Sequence, residues 1–398
     1  MRRAGGFLAA AMAGFVVGAV LTLATQGRGQ PSPEPDTAQV ETNAPPVTVS
    51  QKPETFLAWT PGGLPAGFGE GAEALPNIDR VAVVRNDVAW LSRSFSAEGN
   101  LVDRPPRGFA IPLDVAAVDP RAFAHFLPPA DRGLMVALGR GQGILGASSA
   151  ELRGLGPGAT LEFTDGVRVP IAAVLPDELV GANELMVSRD VGRSIGLVHD
   201  RYALLQPDPV PTSARLRAVL SGALAAGKPV RVRAPGETPY FRQGDAVLPP
   251  VALKRLFGEF AARPGPGGTL QLDPAWVRAH IATRRVPLLG AVRCNGALFP
   301  QLIGAMRELE RRGLGGLVRT YHGCYVPKRV LNVPSATISH HTWGVAFDIN
   351  LSGNFFGEKP HQDPRVVRIL QRWGFIWGGR FIVPDGNHFE YKRPPSAG

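Results

Sequence analysis

Apolar and polar positions follow a different rhythm in each part of the chain. Residues 4–27 carry no charge, and Gly5 to Ala24 is almost entirely Gly, Ala, Val, Leu, Phe and Met. About 20 such residues at roughly 1.5 Å rise span a hydrocarbon core of about 30 Å, whereas a cleavable signal has a shorter apolar region. The run predicts an N-terminal transmembrane helix, a signal-anchor over residues 1–27, with removal after Thr22-Leu23-Ala24 as the alternative. Arg2 and Arg3 would keep the N-terminus in the cytoplasm and place the rest outside. Six prolines between Pro31 and Pro53, mixed with Ser, Thr, Glu and Gln, predict an extended linker over 28–56.

From 57 to 245 short apolar runs alternate with turn signals, predicting a separate, strand-rich α/β module. Val81 to Val84 reads as a buried strand. Thr160 to Phe163, Asp165-Gly166 and Val167 to Val169 read as a hairpin. Ala150 to Leu155 suggests a short helix. His125 and His199 are isolated, and no catalytic constellation precedes residue 290. Arg263 to Gly268 is rich in Pro and Gly and marks a loop near the next domain.

In 246–398 the rhythm changes again. Leu298, Leu302, Met306 and Leu309 recur at helical spacing and stop at Gly313, and Asp363-Pro364 opens a second helix carrying Val366, Val367, Leu370 and Trp373 up to Gly374. Gly316–Tyr321, Gly344–Asn350, Phe375–Trp377, Arg380–Val383 and His388–Tyr391 read as strands. The fold class expected here is α+β, built on a small antiparallel sheet.

A length of 398 residues suits two to three domains, and 44% hydrophobic residues suffice for sizeable cores. The net charge of +10 favours an anionic partner. Residues 290–398 hold 14 Lys and Arg against seven Asp and Glu, which suits an anionic wall polymer. Nucleic acid is not expected, because no helix-turn-helix, zinc knuckle or aromatic-interleaved basic stripe accompanies the charge. Two cysteines exclude a disulfide scaffold and allow one bridge outside the cytosol.

Chemistry concentrates at the C-terminal end, where His322, His340, His341, His361 and His388 make five of the eight histidines. Strand alternation puts Asp348 on the face where Ala346 leaves room, and a bend at Gly344 could return His341 toward it. His388 and Glu390 share a face, with Asp385 three residues earlier across a turn. Two neutral imidazoles and one carboxylate leave an open position on a tetrahedral zinc, the catalytic pattern. Asp385 is then the candidate base.

Ser339-His340-His341-Thr342-Trp343-Gly344-Val345-Ala346-Phe347-Asp348 matches S-x-H-x-x-G-x-A-x-D, and Asp385-Gly386-Asn387-His388-Phe389-Glu390 matches D-x-x-H-F-E. By these motifs the C-terminal part resembles the D-alanyl-D-alanine carboxypeptidase family of zinc peptidases, which includes vancomycin-resistance D,D-peptidases and phage L-alanyl-D-glutamate endolysins. The resemblance implies Zn2+ on His341, Asp348 and His388, with Asp385 as the catalytic carboxylate. The Asp at 385 is as in the endolysin-like branch, where the carboxypeptidase branch usually carries Glu. The resemblance also implies an arginine that stabilises the transition state, Arg329 first and Arg319 next. Glu390 and the motif residue Ser339 are expected to hold the ligands in place. Cys294 and Cys324 are the candidate disulfide. His340 is expected to face away, His322 to lie in a loop near the cleft and His361 to be solvated. Trp343, Trp373 and Trp377 are divided between substrate groove and core, with core expected for at least two.

In the module, Gly62-Gly63-Leu64-Pro65 and Gly154-Leu155-Gly156-Pro157-Gly158 resemble the extracytoplasmic domain of permease subunits of macrolide-exporter type, which implies no site. Its protein partners are not legible. The expected activity is hydrolysis of peptidoglycan stem peptides by a membrane-anchored, extracytoplasmic zinc enzyme. A zinc-holding module that binds wall peptides without cutting them is the alternative. A nonhaem iron oxygenase would usually place its first His and acid two apart, not seven.

Overall fold

The computed structural model describes residues 54–395 apart from 225–226, 238–242 and 246–247. The expected membrane segment at 1–27 and all but the end of the Pro-rich linker lie outside the described residues. Among the described residues no helix is long and apolar enough to cross a membrane.

Nine strands form the first sheet: β1 Phe56–Trp59, β2 Ile78–Phe95, β3 Ile111–Val118, β4 Gly143–Gly146, β5 Thr160–Phe163, β6 Arg168–Leu175, β7 Leu185–Ser188, β8 Asp200–Pro207 and β9 Arg231–Arg233. Their order is β3-β7-β4-β6-β5-β2-β8-β1-β9, with β2 long enough to pair β3 as well. The β5–β6 hairpin turns at Gly166, whose φ of 83° suits a residue without Cβ. The expected short helix forms at Ala147–Arg153.

Two pairs follow, β10 Ala262–Pro264 with β11 Leu270–Leu272, and β12 Ile281–Val286 with β13 Gly290–Asn295. The last sheet has the order β14-β15-β17-β16, made of Tyr321–Gly323, Ala346–Ile349, His388–Tyr391 and Phe375–Trp377, and it is antiparallel throughout. Phe347 and Phe389 stack on its inner face at 5.7 Å. Beneath them the helix Phe299–Arg311 buries Leu302, Met306 and Leu309. The helix Pro364–Arg372 starts where Asp363 accepts a hydrogen bond from the Arg365 amide. Cys294 and Cys324 are bonded.

Three expectations need correction. Gly316–Tyr321 is a 3-10 turn with strand only from Tyr321, because Asn350 Oδ1 takes the Arg319 and Thr320 amides away from any ladder. Arg380–Val383 is not a strand: the Ile382 amide donates to Asp245 at 2.7 Å and the Ile382 side chain packs against the module. The module itself is not separate. Ala110 pairs with Ala262 through backbone hydrogen bonds, Val88 and Trp90 of β2 pack on the C-terminal core, and Ala261 belongs to the module's core. Lys254, buried on the helix Pro250–Phe257, donates to the Pro112 carbonyl at 2.6 Å and to Glu184 at 2.8 and 2.9 Å. Arg153 completes this seam by binding Glu184 and Glu259.

Candidate metal centre

The β15–β17 register sets Asp348 directly opposite His388 and Ala346 opposite Glu390. Cross-strand partners share a face with Cβ atoms about 5 Å apart, so Asp348 and His388 meet and the small Ala346 leaves space for the Glu390 carboxylate. His341 arrives from a 3-10 turn, His340–Trp343, capped by Ser339, whose Oγ accepts from the His341 amide. Gly344 ends that turn at φ 69°, and a Cβ there would lie 2.6 Å from the Asn295 nitrogen. Only glycine allows this bend, and the bend returns His341 to the sheet.

The three side chains converge. His341 Nε2 lies 3.2 Å from His388 Nδ1 and 3.3 Å from Asp348 Oδ1, and His388 Nδ1 lies 3.2 Å from Asp348 Oδ1. The remaining nitrogens fix the tautomers. His341 Nδ1–H donates to the Cys324 carbonyl at 2.9 Å, since a carbonyl can only accept. His388 Nε2–H donates to Glu390 Oε2 at 3.2 Å. With His341 Nδ1 and His388 Nε2 donating outward, two imidazole nitrogens and a carboxylate oxygen face one point, the arrangement that holds a cation. A tetrahedral zinc with bonds of about 2.0–2.1 Å has donor separations of about 3.3–3.4 Å, close to the three edges. The donor set fits zinc.

The local electrostatics favour ionised groups. Burial works to lower the pKa of His388, but Asp348 and Glu390 outweigh it and push it up to about 10. Burial works to raise Asp348 and Glu390, yet His341 and His388 hold the first, and His340 and His388 the second, well below the usual carboxylate range. In each case the surroundings favour the ionised form, His388 as a cation and Asp348 and Glu390 as anions. Tyr321, beside the cluster, is pushed up to about 12 by burial and by Asp348.

Asp385 sits on the turn before β17. Its amide donates to the Gly378 carbonyl at 2.9 Å, and Asn387 Nδ2 donates to its Oδ1 at 2.7 Å. Gly378 must lack a side chain here, because a Cβ would approach the Asp385 carbonyl to 2.7 Å. Burial, the largest influence, raises the Asp385 pKa and Asp348 raises it further, while His388, His341 and Lys328 offset this only in part.

The arginine expectation does not match the placement. Arg329 is buried and donates to the Ala336 carbonyl at 2.6 Å and to Asp87 Oδ1 of the module at 3.5 Å, with its guanidinium 5.9 Å from the Trp90 ring centre. Arg319 is exposed. Among the groups whose charge acts on Asp385, the smallest influence is that of Lys328, which the sequence reading missed. Arg329 pairs with Ile338 and Lys328 with Thr269 in extended backbone, so successive side chains point to opposite faces. That alternation was the available signal.

His340 also departs from expectation. It is buried, with Nδ1 3.0 Å from Glu390 Oε2, a charge contact without hydrogen-bond angles. It supports Glu390 instead of facing away. His322 is exposed and contacts Thr320 Oγ1, and His361 is exposed before its helix. Trp343 is core, Trp373 donates to Glu308, and Trp377 donates to the Gly386 carbonyl, steadying the turn that carries Asp385.

Residues 334–391 match the model of a protein family described as D-alanyl-D-alanine carboxypeptidase. The C-terminal part is peptidase-like. The matched stretch contains His341, Asp348, Asp385 and His388. No curated protein matches the chain significantly. Among solved structures, the periplasmic region of MacB from Actinobacillus actinomycetemcomitans is similar at 12% identity and TM-score 0.32, covering 45% of this chain and 88% of its own. The extracellular domain of the noncanonic ABC-type transporter YknZ from Gram-positive bacteria gives 13%, 0.28, 45% and 99% in the same order. A domain of a putative permease protein from Porphyromonas gingivalis gives 14%, 0.29, 51% and 95%. Likeness at these scores supports no statement about what the module does.

Proposed function

We propose that this chain is a zinc-dependent peptidase that hydrolyses peptidoglycan stem peptides, held at the outer side of the cell membrane by its N-terminal apolar run. The observation that carries the reading is the convergence of His341 Nε2, His388 Nδ1 and Asp348 Oδ1 with separations of 3.2–3.3 Å. Support comes from the family match over the same residues and from the basic C-terminal region, which suits an anionic wall.

Zinc held by these three side chains would supply a Lewis acid that brings the pKa of water to about 7 and polarises a carbonyl. Asp385 then takes the proton of the attacking water on Oδ2 and returns it to the leaving amine, while Asn387 steadies Oδ1. A raised pKa suits this exchange, because a base must both accept and release the proton. Lys328, whose charge reaches Asp385, would be the cation that offsets the negative charge developing on the carbonyl oxygen. Glu390 and the Cys324 carbonyl hold the two imidazoles in their ligating tautomers.

The test is mass spectrometry of muropeptides incubated with the full chain, with and without a chelator. Loss of terminal D-alanine would assign carboxypeptidase action, and a cut between L-Ala and D-Glu would assign endopeptidase action. Asp385→Asn should retain zinc and lose roughly 10²–10⁴-fold in rate. Zinc-loaded protein that binds muropeptides and cuts none would leave a wall-peptide-binding module as the reading.

A further inference from the structure

Both loops that carry the non-ligand groups of the site are fastened to the strand-rich module. On one side, Arg329 reaches Asp87 of β2, next to Lys328 in the chain. Asp87 is a buried carboxylate with a full set of partners: Oδ1 accepts from the Val88 amide at 2.7 Å, and Oδ2 faces Arg201 Nη2 at 3.2 Å and His199 Nδ1 at 3.3 Å. Arg201 in turn donates to the Ser335 carbonyl, one residue from the carbonyl held by Arg329. The loop 329–338 is thus clamped at Ser335 and Ala336 by two guanidinium groups that share Asp87. On the other side, Asp245 accepts the Ile382 amide, three residues before Asp385.

We propose that Asp87 is a positioning residue of the peptidase site, acting through Arg329 and Arg201 to hold the loop 328–338 against the turn that presents His341. The proposal rests on the peptidase reading above. The local backbone makes the coupling direct. Thr342 Oγ1 accepts from the Lys328 amide at 3.0 Å and donates to its carbonyl at 2.9 Å, and the Ser339 amide donates to the same carbonyl. Lys328 is therefore tied at its backbone to the turn that presents His341. The loop is fixed further by the neighbouring Arg329, whose side chain is anchored on Asp87 and the Ala336 carbonyl. Without Asp87, Arg329 and Arg201 become neighbouring buried cations that repel, and the loop between them loses its common anchor. The module would then work as a wall of the active site rather than as a passive spacer.

The test compares the full-length wild type with Asp87→Asn, Asp87→Glu, Arg329→Gln and the Asp87→Asn/Arg329→Gln double variant. Zinc content, melting temperature, kcat, KM and hydrogen exchange of amides 329–338 are measured on each. Asp87→Asn and Arg329→Gln should each lower kcat about 10- to 100-fold with zinc retained and KM nearly unchanged, the scale of a displacement of about 1 Å in a catalytic group. The double variant should be no worse than the poorer single one, because both act along one path. Asp87→Glu should recover part of the loss, and exchange over 329–338 should quicken in Asp87→Asn.

Folded, zinc-loaded Asp87→Asn with wild-type kcat would overturn the proposal, as would losses that multiply in the double variant. If Asp87→Asn does not fold, Arg329→Gln decides alone, since Arg201 still pairs Asp87 there, and an unchanged kcat overturns the coupling. A wild type that holds zinc and cuts nothing would remove the peptidase reading. Exchange over 329–338 then tests the clamp separately, and an unchanged rate would overturn it.

Discussion

Two buried clusters of charged groups lie in this molecule, and they are built on opposite principles. At the seam, Arg153 and Lys254 face Glu184 and Glu259, each cation within 3.1 Å of both carboxylates. At the candidate metal centre, Asp348 and Glu390 stand among the imidazoles of His340, His341 and His388, and among the described residues no Lys or Arg side chain is paired with either carboxylate. The first cluster is balanced by its own residues. The second balances through imidazoles, which carry charge only when protonated, or through an added cation. A buried set of charges thus reads as architecture when permanent cations face its carboxylates, and as a candidate site when imidazoles do.

The contrast is broken most severely at the seam. Lys254→Met leaves Glu184 and Glu259 sharing Arg153 alone, and breaking such a buried pair costs about 3–5 kcal/mol. Chemical denaturation should show that loss, while zinc content and the kcat of the folded protein stay at wild-type values. Glu390→Gln sharpens the other side. It keeps the shape and an acceptor for His388 Nε2–H but removes the charge, and zinc affinity should weaken by about 10- to 100-fold in a competitive chelator titration. The smallest effect is in pH. Burial tends to raise Glu259, but Lys254 and Arg153 outweigh it and hold it from 4.5 down to about 2. A carboxylate depressed on folding stabilises fully above its unfolded pKa, so this contribution is present above about 4.5 and lost as pH falls toward 2. Melting curves of Glu259→Gln should depend less on pH across that window than those of the wild type.

Much of the metal centre was legible in the sequence because it depends on local rules. Alternation placed Asp348 and His388 on usable faces, and Gly344 announced the bend that brings His341 back. The helix starting at Asp363-Pro364 was readable from its cap. What escaped depends on distant chain. Arg380–Val383 has strand-like residues, but Asp245, 137 positions away in sequence, takes the Ile382 amide. Arg329 looked like a catalytic cation until Asp87, 242 positions away, claimed it. His340 was expected to face away, yet a 3-10 turn lets both it and His341 be buried. The joining of module and C-terminal part through Lys254 could not be read at all, since a lysine in an amphipathic helix is ordinarily solvated.

The central claim is that three acceptors in the C-terminal sheet hold one zinc ion, and metal analysis of the purified full chain tests it most directly. The account predicts about one zinc per chain, lost in His341→Ala and kept in Lys254→Met. Zinc absent from the wild type after incubation with the metal, or bound equally well by His341→Ala, would contradict it.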